Sequence, residues 1–346
     1  MRRPASSIQV LRLNVTALFV FCGTALAQNA TFKAKVPLVA LPVTVVDKTG
    51  KPVDGLSEAD FVLLDNGNPR AVHVAPSGVY SSKISLVVVI QTSDISKAAL
   101  LKVRKTGSMI DGYVTGQGGE ASVLSAENSV KIVQDFTPNG TLVRDAFASL
   151  RPGDGSGGRV LDGVDRAIRM LSTKPSDRRC LVLAIGESRD RGSKAKATDV
   201  LTEAQRENVT IYTVTYSAYL TPFTTKASDL QAQSSGGVSV LAIAMEIGRL
   251  AKQNIGTALA EYTGGRHVNF ATLHGLEDDF ASIGKEIHSQ YLLTFTPPSD
   301  AAPSFHTIAV RVRGRPNLTI RTRSGYWTEG LDSPETAPAH YLAHSQ

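Results

Sequence analysis

Polar and charged side chains follow the two most apolar segments of this chain, at 84–90 and 181–185, and an arginine precedes a helix-like segment at 160–171. In an open parallel sheet, ligands bind at the carboxyl ends of the strands, where the strand order reverses. If Arg159 projects into that crevice, its fixed guanidinium would hold a partner's carboxylate directly. The alternative is an exposed arginine at a helix start. The candidate ligand-binding residues are Gln91, Ser93, Asp94, Arg159, Glu187 and Asp190.

Other catalytic motifs are missing or wrongly placed. The glycines between Gly153 and Gly158 spell GxGxxG, but they follow a predicted helix rather than a strand, which argues against a dinucleotide site and favours a loop. The sequence has no GxxxxGK[ST], HExxH or GxSxG motif, and its seven histidines show no metal-ligand spacing. A hydrolase assembled from residues distant in sequence remains open.

Composition indicates a soluble globular protein. The chain has 346 residues, of which 42% are hydrophobic and 20% charged, with 2 cysteines. These values exclude collagen, coiled coils and disulfide scaffolds, and the absence of long apolar runs excludes a polytopic membrane protein. Removing the three arginines of residues 1–27 from the 37 basic residues leaves 34 against 31 acids, a net charge near +3. That balance gives no support for nucleic-acid binding.

The N-terminus predicts export. Three arginines precede an apolar run, and Ala25-Leu26-Ala27 matches a signal-peptidase site, so residues 1–27 are interpreted as a cleaved signal peptide. An uncleaved membrane anchor is the alternative. We expect a periplasmic, envelope-associated or secreted protein. Cleavage removes Cys22 and leaves Cys180 alone beside an apolar run, which favours a small buried hydrophobe over a catalytic thiol.

The remaining sequence predicts an α/β fold, with a doubly wound, mostly parallel sheet. Residues 35–78 read as a β lead-in, and buried runs alternate with helical periods from Ile84 onward. Residues 217–237 form a polar insertion long enough to serve as a lid. Tyr291–Phe295 is predicted as the last strand of the sheet. A C-terminal β-hairpin at 307–323 and a frayed tail at 328–346 complete the chain.

Several short segments resemble the von Willebrand factor A domain, over about residues 35–327. They include Gln91-Thr92-Ser93, the two glycines before the helix at 160, Gly186-Glu187-Ser188 and Gln290-Tyr291-Leu292-Leu293. More narrowly, Asp60-Phe61, the run 188–193 and Gly325-Tyr326-Trp327 resemble von Willebrand factor A-related proteins exported by soil acidobacteria. The resemblance implies a domain at 83–327 that carries the insertion.

The resemblance also implies that this chain has lost the metal ligands of the family. In that family, Asp-x-Ser-x-Ser after the first strand, a later Thr and an Asp after the fourth strand bind Mg²⁺ through oxygen atoms. Here the corresponding positions are Gln91, Ser93, Ile95, Arg159 and Gly186. Both charged ligands are absent and a cation has been added, so we predict no metal site of this type and no cofactor.

Three acids could still rescue cation binding. Asp94 begins a displaced Asp-x-Ser, although a residue at this place more often caps a helix. Glu187 and Asp190 could replace the missing acid, although alternation with Arg189 and Arg191 is more typical of a solvated ion-pair cluster.

The sequence therefore predicts an exported, non-enzymatic binding or adhesion module with a degenerate metal-ion-dependent adhesion site. Its expected partner is a protein or an envelope polymer, with no nucleic acid and no stable membrane span. The alternatives are an exported hydrolase that uses 217–237 as a lid, and a structural envelope protein without a discrete ligand.

Overall fold

The computed structural model describes most of the chain after residue 37, in the ranges 38–75, 83–93, 97–155, 157–175, 177–216, 249, 254–298 and 303–328. The chain divides into two units, Met1–Lys35 and Val36–Gln346, and all described residues belong to the second. The predicted signal peptide, the 217–237 insertion and the tail after Thr328 lie outside these ranges.

The strands of the described residues are β1 (Val39–Val46), β2 (Phe61–Asp65), β3 (Asn68–Arg70), β4 (His73–Val74), β5 (Ile84–Gln91), β6 (Glu120–Ala126), β7 (Val130–Thr137), β8 (Arg179–Glu187), β9 (Thr210–Tyr216), β10 (His267–Phe270), β11 (Tyr291–Phe295), β12 (Ser304–Val312), β13 (Thr319–Arg321) and β14 (Gly325–Thr328). The helices are α1 (Lys97–Val103), α2 (Gly107–Met109) with the π-helical segment Ile110–Thr115, α3 (Gly140–Ser149), α4 (Val160–Leu171), α5 (Ala197–Arg206), α6 (Ile255–Thr263) and α7 (Leu273–His288). A 3-10 turn spans Glu58–Asp60.

A six-stranded sheet forms the centre, in the order β10-β9-β8-β5-β6-β7. All its neighbouring pairs are parallel except β6 and β7, which are antiparallel. Every residue of β5 is buried, as its nearly continuous apolar sequence requires of a central strand covered on both faces. The chain runs from β5 outward to β6 and later returns to β8 on the other side. This confirms the predicted doubly wound α/β fold and places the reversal of strand order between β5 and β8.

Helices cover both faces of this sheet because their apolar residues recur at helical spacing. One face carries a cluster that includes Leu100, Phe147 and Phe280, from α1, α3 and α7. The opposite face carries Val164 and Leu259, from α4 and α6, packed against the other side of β5 and β8. The two cores fix the carboxyl ends of the strands as one rigid edge.

The two ends of the described chain build a separate β-sandwich. Its sheets have the orders β13-β1-β11-β4 and β14-β12-β2-β3, and they share a core that includes Leu41, Leu63, Phe295 and Tyr326. The lead-in strands thus pair with strands from the end of the chain.

Two sequence predictions about these terminal strands are wrong. Tyr291–Phe295 does not extend the parallel sheet: it pairs antiparallel with β1. The predicted hairpin strands do not pair with each other, since β12 pairs with β2 and β14 whereas β13 pairs with β1. Alternating apolar residues specify a half-buried strand but not its partner, and both segments are half-buried in the sandwich.

Among the helices that the structure describes, none combines the length and the apolar character needed to cross a bilayer.

Candidate functional site

The carboxyl edge of the parallel sheet centres on the side chain of Gln91, the last residue of β5. Its Oε1 accepts a hydrogen bond from the backbone N–H of Glu187 at 2.8 Å, and its Nε2 donates to Ser93 Oγ at 2.8 Å. The residue is 2% exposed. One neutral amide therefore links the ends of β5 and β8 at the point where the strand order reverses.

Two glycines leave room for this amide. A Cβ on Gly158 would lie 2.4 Å from Gln91 Nε2, and one on Gly186 would lie 2.8 Å from Gln91 Oε1. A Cβ carbon essentially never approaches another heavy atom to within 3.0 Å, so a side chain at either position would displace Gln91. The glycine before α4 and the glycine near the end of β8 are thus explained by packing against Gln91.

Ser93 and Asp94 follow Gln91 in the chain. Ser93 is fully buried beneath the edge. Asp94 lies outside the described residues, so the choice between helix capping and cation binding remains a prediction for it.

Arg159 occupies the N-cap position of α4, where its side chain is 31% exposed. Its Nη1 lies 3.6 Å from Asp162 Oδ2. The other oxygen of Asp162 accepts the backbone N–H groups of Lys194 and Ala195, each at 2.8 Å. The guanidinium therefore already has the carboxylate of Asp162 beside it. A partner's carboxylate would have to displace Asp162 or bind the guanidinium together with it.

Asp190 caps the N-terminus of α4. Its Oδ1 accepts the backbone N–H of Leu161 at 3.0 Å and the hydroxyl of Ser193 at 2.8 Å, and its Oδ2 accepts the Ser193 N–H at 3.2 Å. A carboxylate at a helix N-terminus satisfies free N–H groups and the helix dipole. Sequence reasoning missed this role, because the capping acid lies far from the helix it caps in the chain.

Glu187 turns toward Arg191. Its Oε2 lies 3.4 Å from Arg191 Nε, and its side chain is 10% exposed. Burial raises the pKa of Glu187 above its usual range, while the Arg191 charge opposes that shift. This pair matches the predicted ion pair in identity, but its acid is largely buried rather than solvated.

The outer rim of the edge is positively charged. Arg151, Arg189, Arg191, Lys194 and Lys196 are exposed around it. The acids Glu187, Asp162 and Asp190 are instead partly buried and bonded within the protein. Exposed basic side chains thus outnumber the exposed acid Asp154 at this rim, and two of them are also bonded within the protein, Arg191 to Glu187 and Arg151 to carbonyls at the end of α3.

The glycine-rich loop packs onto the turn after β6. The Gly153 N–H donates to the Thr92 carbonyl at 2.6 Å, the Gly155 N–H to Glu127 Oε1 at 2.8 Å, and the Gly158 N–H to the Arg191 carbonyl at 2.9 Å. A phosphate site needs such N–H groups to point at the ligand. These three point into the protein, which agrees with a loop rather than a dinucleotide site.

The residues described at this edge do not fit the divalent-cation site that the resemblance implies. The side chain at the centre is a neutral amide whose oxygen and nitrogen are both bonded within the protein, and Asp190 is committed to α4. Hard cations require several oxygen ligands with compensating charge. Within the described ranges, no three His, Cys, Asp or Glu residues group as metal ligands would.

Comparison with protein-family models gives no match, and comparison with curated proteins gives none. Solved structures give matches at low identity. A von Willebrand factor type A structure from Catenulispora acidiphila has a TM-score of 0.45 and 10% identity, covering 87% of this chain and 76% of that one. The conserved hypothetical protein BatB from Bacteroides thetaiotaomicron has a TM-score of 0.39 and 8% identity, covering 59% of this chain and 98% of that one. Proximal thread matrix protein 1 from the mussel byssus, solved with a zinc-occupied MIDAS motif, has a TM-score of 0.43 and 11% identity, covering 64% of this chain and 49% of that one.

Proposed function

We propose that this chain is an exported, non-enzymatic protein-binding module of the von Willebrand factor A type, which recognises an acidic partner at the carboxyl edge of its sheet without a bridging cation. The observation that carries the proposal is the Gln91 amide, which occupies the centre of the edge and bonds Glu187 and Ser93. A neutral centre gives a cation little to bind. The partner is then recognised by the exposed basic side chains of the rim.

The charge of the rim supports an acidic partner. Arg189 and Arg191 are exposed on the loop after β8, and Lys194 and Lys196 follow them. Arginine binds carboxylates through paired hydrogen bonds, and exposed cations speed the encounter with an anionic surface. Arg159 contributes at the inner side of the rim by sharing its guanidinium between Asp162 and the partner.

The same proposal covers export, the narrower protein family, the location and the partner. The N-terminal arginines, the apolar run and Ala25-Leu26-Ala27 support export. The segments at 60–61, 188–193 and 325–327 support placement among the exported acidobacterial proteins. The envelope is the expected location, and an acidic envelope protein is the expected partner.

The absence of cation binding is tested by calorimetric titration of Mg²⁺ and Mn²⁺ into the chain from Gln28 onward. We expect no saturable heat at millimolar concentrations. Saturable binding of one ion per chain would refute the cation-free edge and restore a conventional cation-bridged adhesion site.

The rim is tested with a partner captured from cell envelope in the presence of EDTA. We expect the double change Arg189→Glu and Arg191→Glu to weaken binding of that partner about tenfold or more, because it replaces attraction with like-charge repulsion. Arg144→Glu is the matched control, since this exposed arginine lies on α3, outside the rim. Equal binding by both variants would refute the rim as the contact surface, and unchanged binding by Arg159→Ala would remove Arg159 from it.

A further inference from the structure

The loop after β8, residues 188–196, carries most of the basic rim and is bonded to the start of α4. Asp162, in the first turn of α4, accepts the backbone N–H groups of Lys194 and Ala195 through Oδ1, each at 2.8 Å. The Asp162 N–H in turn donates to Ser193 Oγ at 3.1 Å. Helix and loop therefore satisfy each other's backbone groups, although they are distant in the chain.

Two further contacts close the same junction. Asp190 Oδ1 accepts a backbone N–H of α4 at 3.0 Å and the Ser193 hydroxyl at 2.8 Å. The Gly158 N–H donates to the Arg191 carbonyl at 2.9 Å, and the Arg191 N–H donates back at 3.4 Å. Asp162, Asp190 and Ser193 thus form a clasp between α4 and the loop, which contains no helix or strand between β8 and α5.

A loop that is already fixed favours binding. A loop held only at its ends would lose conformational entropy when a partner binds, and that loss subtracts from the affinity. The exposed side chains of Arg189, Lys194 and Lys196 extend from the segment that the clasp holds. The bonds from Asp162 to the backbone of Lys194 and Ala195 therefore act on the cations that a partner meets.

The charge of Asp162 has the opposite effect. Its Oδ2 lies 3.6 Å from Arg159 Nη1, and both side chains are partly exposed. The carboxylate therefore competes with an acidic partner for this guanidinium and repels the charge of that partner. One side chain thus favours binding through its hydrogen bonds and opposes binding through its charge.

We propose that Asp162 is a positioning residue of the rim, which holds the loop 188–196 in the conformation that binds an acidic polypeptide. This role rests on the function proposed above and adds the residue that orders its contact surface. Asp162→Asn removes the charge but keeps an oxygen that accepts the two N–H groups. Asp162→Ala removes the charge and the acceptor together. The two variants have the same net charge, so a difference between them measures positioning.

The test measures binding of a fluorescein-labelled oligoglutamate peptide to the chain from Gln28 onward, by fluorescence anisotropy in EDTA. We expect Asp162→Asn to bind the peptide about two- to fivefold more tightly than the unchanged chain, because Arg159 loses its intramolecular counter-charge. Asp162→Ala should bind about three- to tenfold more weakly than Asp162→Asn, because the peptide must then order the loop. Equal affinity of the two variants refutes the positioning role.

Hydrogen exchange of the free chain gives a readout that a change of charge alone does not move. Peptides that cover 188–196 are followed by mass spectrometry. The Lys194 and Ala195 amides should stay protected in the unchanged chain and in Asp162→Asn, and should exchange about tenfold faster or more in Asp162→Ala. Equal exchange in all three chains would also overturn the proposal.

Asp165→Ala is the matched control, because Asp165 also lies on α4 but bonds Arg169 at 2.6 Å. It removes the same charge from the same helix, and it should leave the affinity within about twofold and the exchange of 188–196 unchanged. Thermal melts should show that each variant is folded. If Asp162→Ala does not fold, Ser193→Ala replaces it without a change of charge: we expect about two- to fivefold weaker binding, and unchanged affinity refutes the clasp.

Failure of the underlying function gives a different result. In that case the unchanged chain would not bind the peptide, or the double change Arg189→Glu and Arg191→Glu would leave binding unaltered, and the positioning role would be refuted with it. If binding depends on these two arginines but is equal in the two Asp162 variants, only the positioning role is refuted.

Discussion

Two histidines in the described part of the chain, the half-buried His267 and the buried His306, are surrounded by different kinds of partner. His267, on β10, contacts Thr213 Oγ1 at 2.9 Å and Asn254 Nδ2 at 3.3 Å, and burial lowers its pKa to about 4. His306, in the sandwich, faces the buried carboxylate of Asp65. Hydroxyls and amides suit a neutral ring, whereas a carboxylate favours an N–H on the ring nitrogen that faces it.

The same contrast holds between Gln91 and Asp65. Gln91 is buried as a neutral amide and needs only one donor and one acceptor. Asp65 is buried as a charge and requires His306, Arg70 and Tyr326 around it. Burying an unpaired charge costs far more free energy than burying a bonded amide. The sheet edge therefore has a neutral group at its centre, whereas the sandwich buries a charge within a set of hydrogen-bond partners.

The strongest test of this contrast is Asp65→Asn. The variant removes the charge that accepts hydrogen bonds from Arg70 and Tyr326 and faces His306, and bonds to a charged group contribute about 1.5 to 3 kcal/mol each, so we expect the free energy of unfolding to fall by about 3 to 5 kcal/mol. Urea denaturation measures it. Asp145→Asn is the control: Asp145 pairs with Arg144 on the surface, and its loss should cost less than about 1 kcal/mol. A similar small loss for Asp65→Asn would show that the buried charge is not stabilised by its partners.

The second test uses the depressed pKa of His267. Between the usual value of 6.5 and about 4, the unfolded chain binds a proton at this site that the folded chain does not. Its contribution is therefore present above pH 6.5 and is lost as the pH falls toward 4, amounting to a loss on the order of 2 to 3 kcal/mol at pH 4.5. His267→Gln should remove that part of the pH dependence in urea denaturation.

The exposed His274 on α7 provides the matched control for that experiment. As a substitution on the surface, His274→Gln should change the unfolding free energy at pH 7 by less than about 0.5 kcal/mol. If His267→Gln and the unchanged chain lose stability in parallel on acidification, the neutral character of the His267 site is refuted.

The third test is Gly158→Ala, which crowds the Gln91 amide. The added Cβ falls 2.4 Å from Nε2, and we expect overpacking to lower the unfolding free energy by about 1 to 3 kcal/mol. Gly112→Ala is the control, because a Cβ there meets nothing within 4 Å. Equal stability of the two variants would mean that the amide moves freely and does not fix the edge.

The smallest expected effect is that of Asp190→Ala. Loss of the bonds to Leu161 N–H and to Ser193 should cost about 1 kcal/mol, as for other helix caps, measured by thermal or urea denaturation. A loss of Mg²⁺ affinity instead of stability would assign Asp190 to a cation site and contradict its capping role.

Much of the fold follows from sequence, because apolar runs such as 84–90 and 181–185 can be buried on both faces only in a central parallel sheet. The strands that pair with Tyr291–Phe295 could not be predicted from the sequence, since its apolar residues suit either sheet and β1 is distant in the chain. The turn at Gly314 was expected, and it does have a positive φ of 66°. The strands that flank this turn nevertheless lie in different sheets.

At the candidate site, the residue types could be predicted from the sequence, but their hydrogen-bond partners could not. Gln91 could be identified as a neutral replacement for an acid, yet its bond to the Glu187 N–H depends on the packing of β5 against β8. The relation of Asp65 to His306 was missed altogether. No local pattern marks two residues that meet only when the first and last strands of a sandwich pair.

The sandwich joins strands from both ends of the described chain, and this has a consequence for biosynthesis. β1 through β4 leave the ribosome well before β11 and β12, so their edges stay unpaired while the intervening α/β part is made. The sandwich can therefore be complete only after translation has passed Trp327. A product truncated before β11 would expose those edges and become a target for chaperones and proteases.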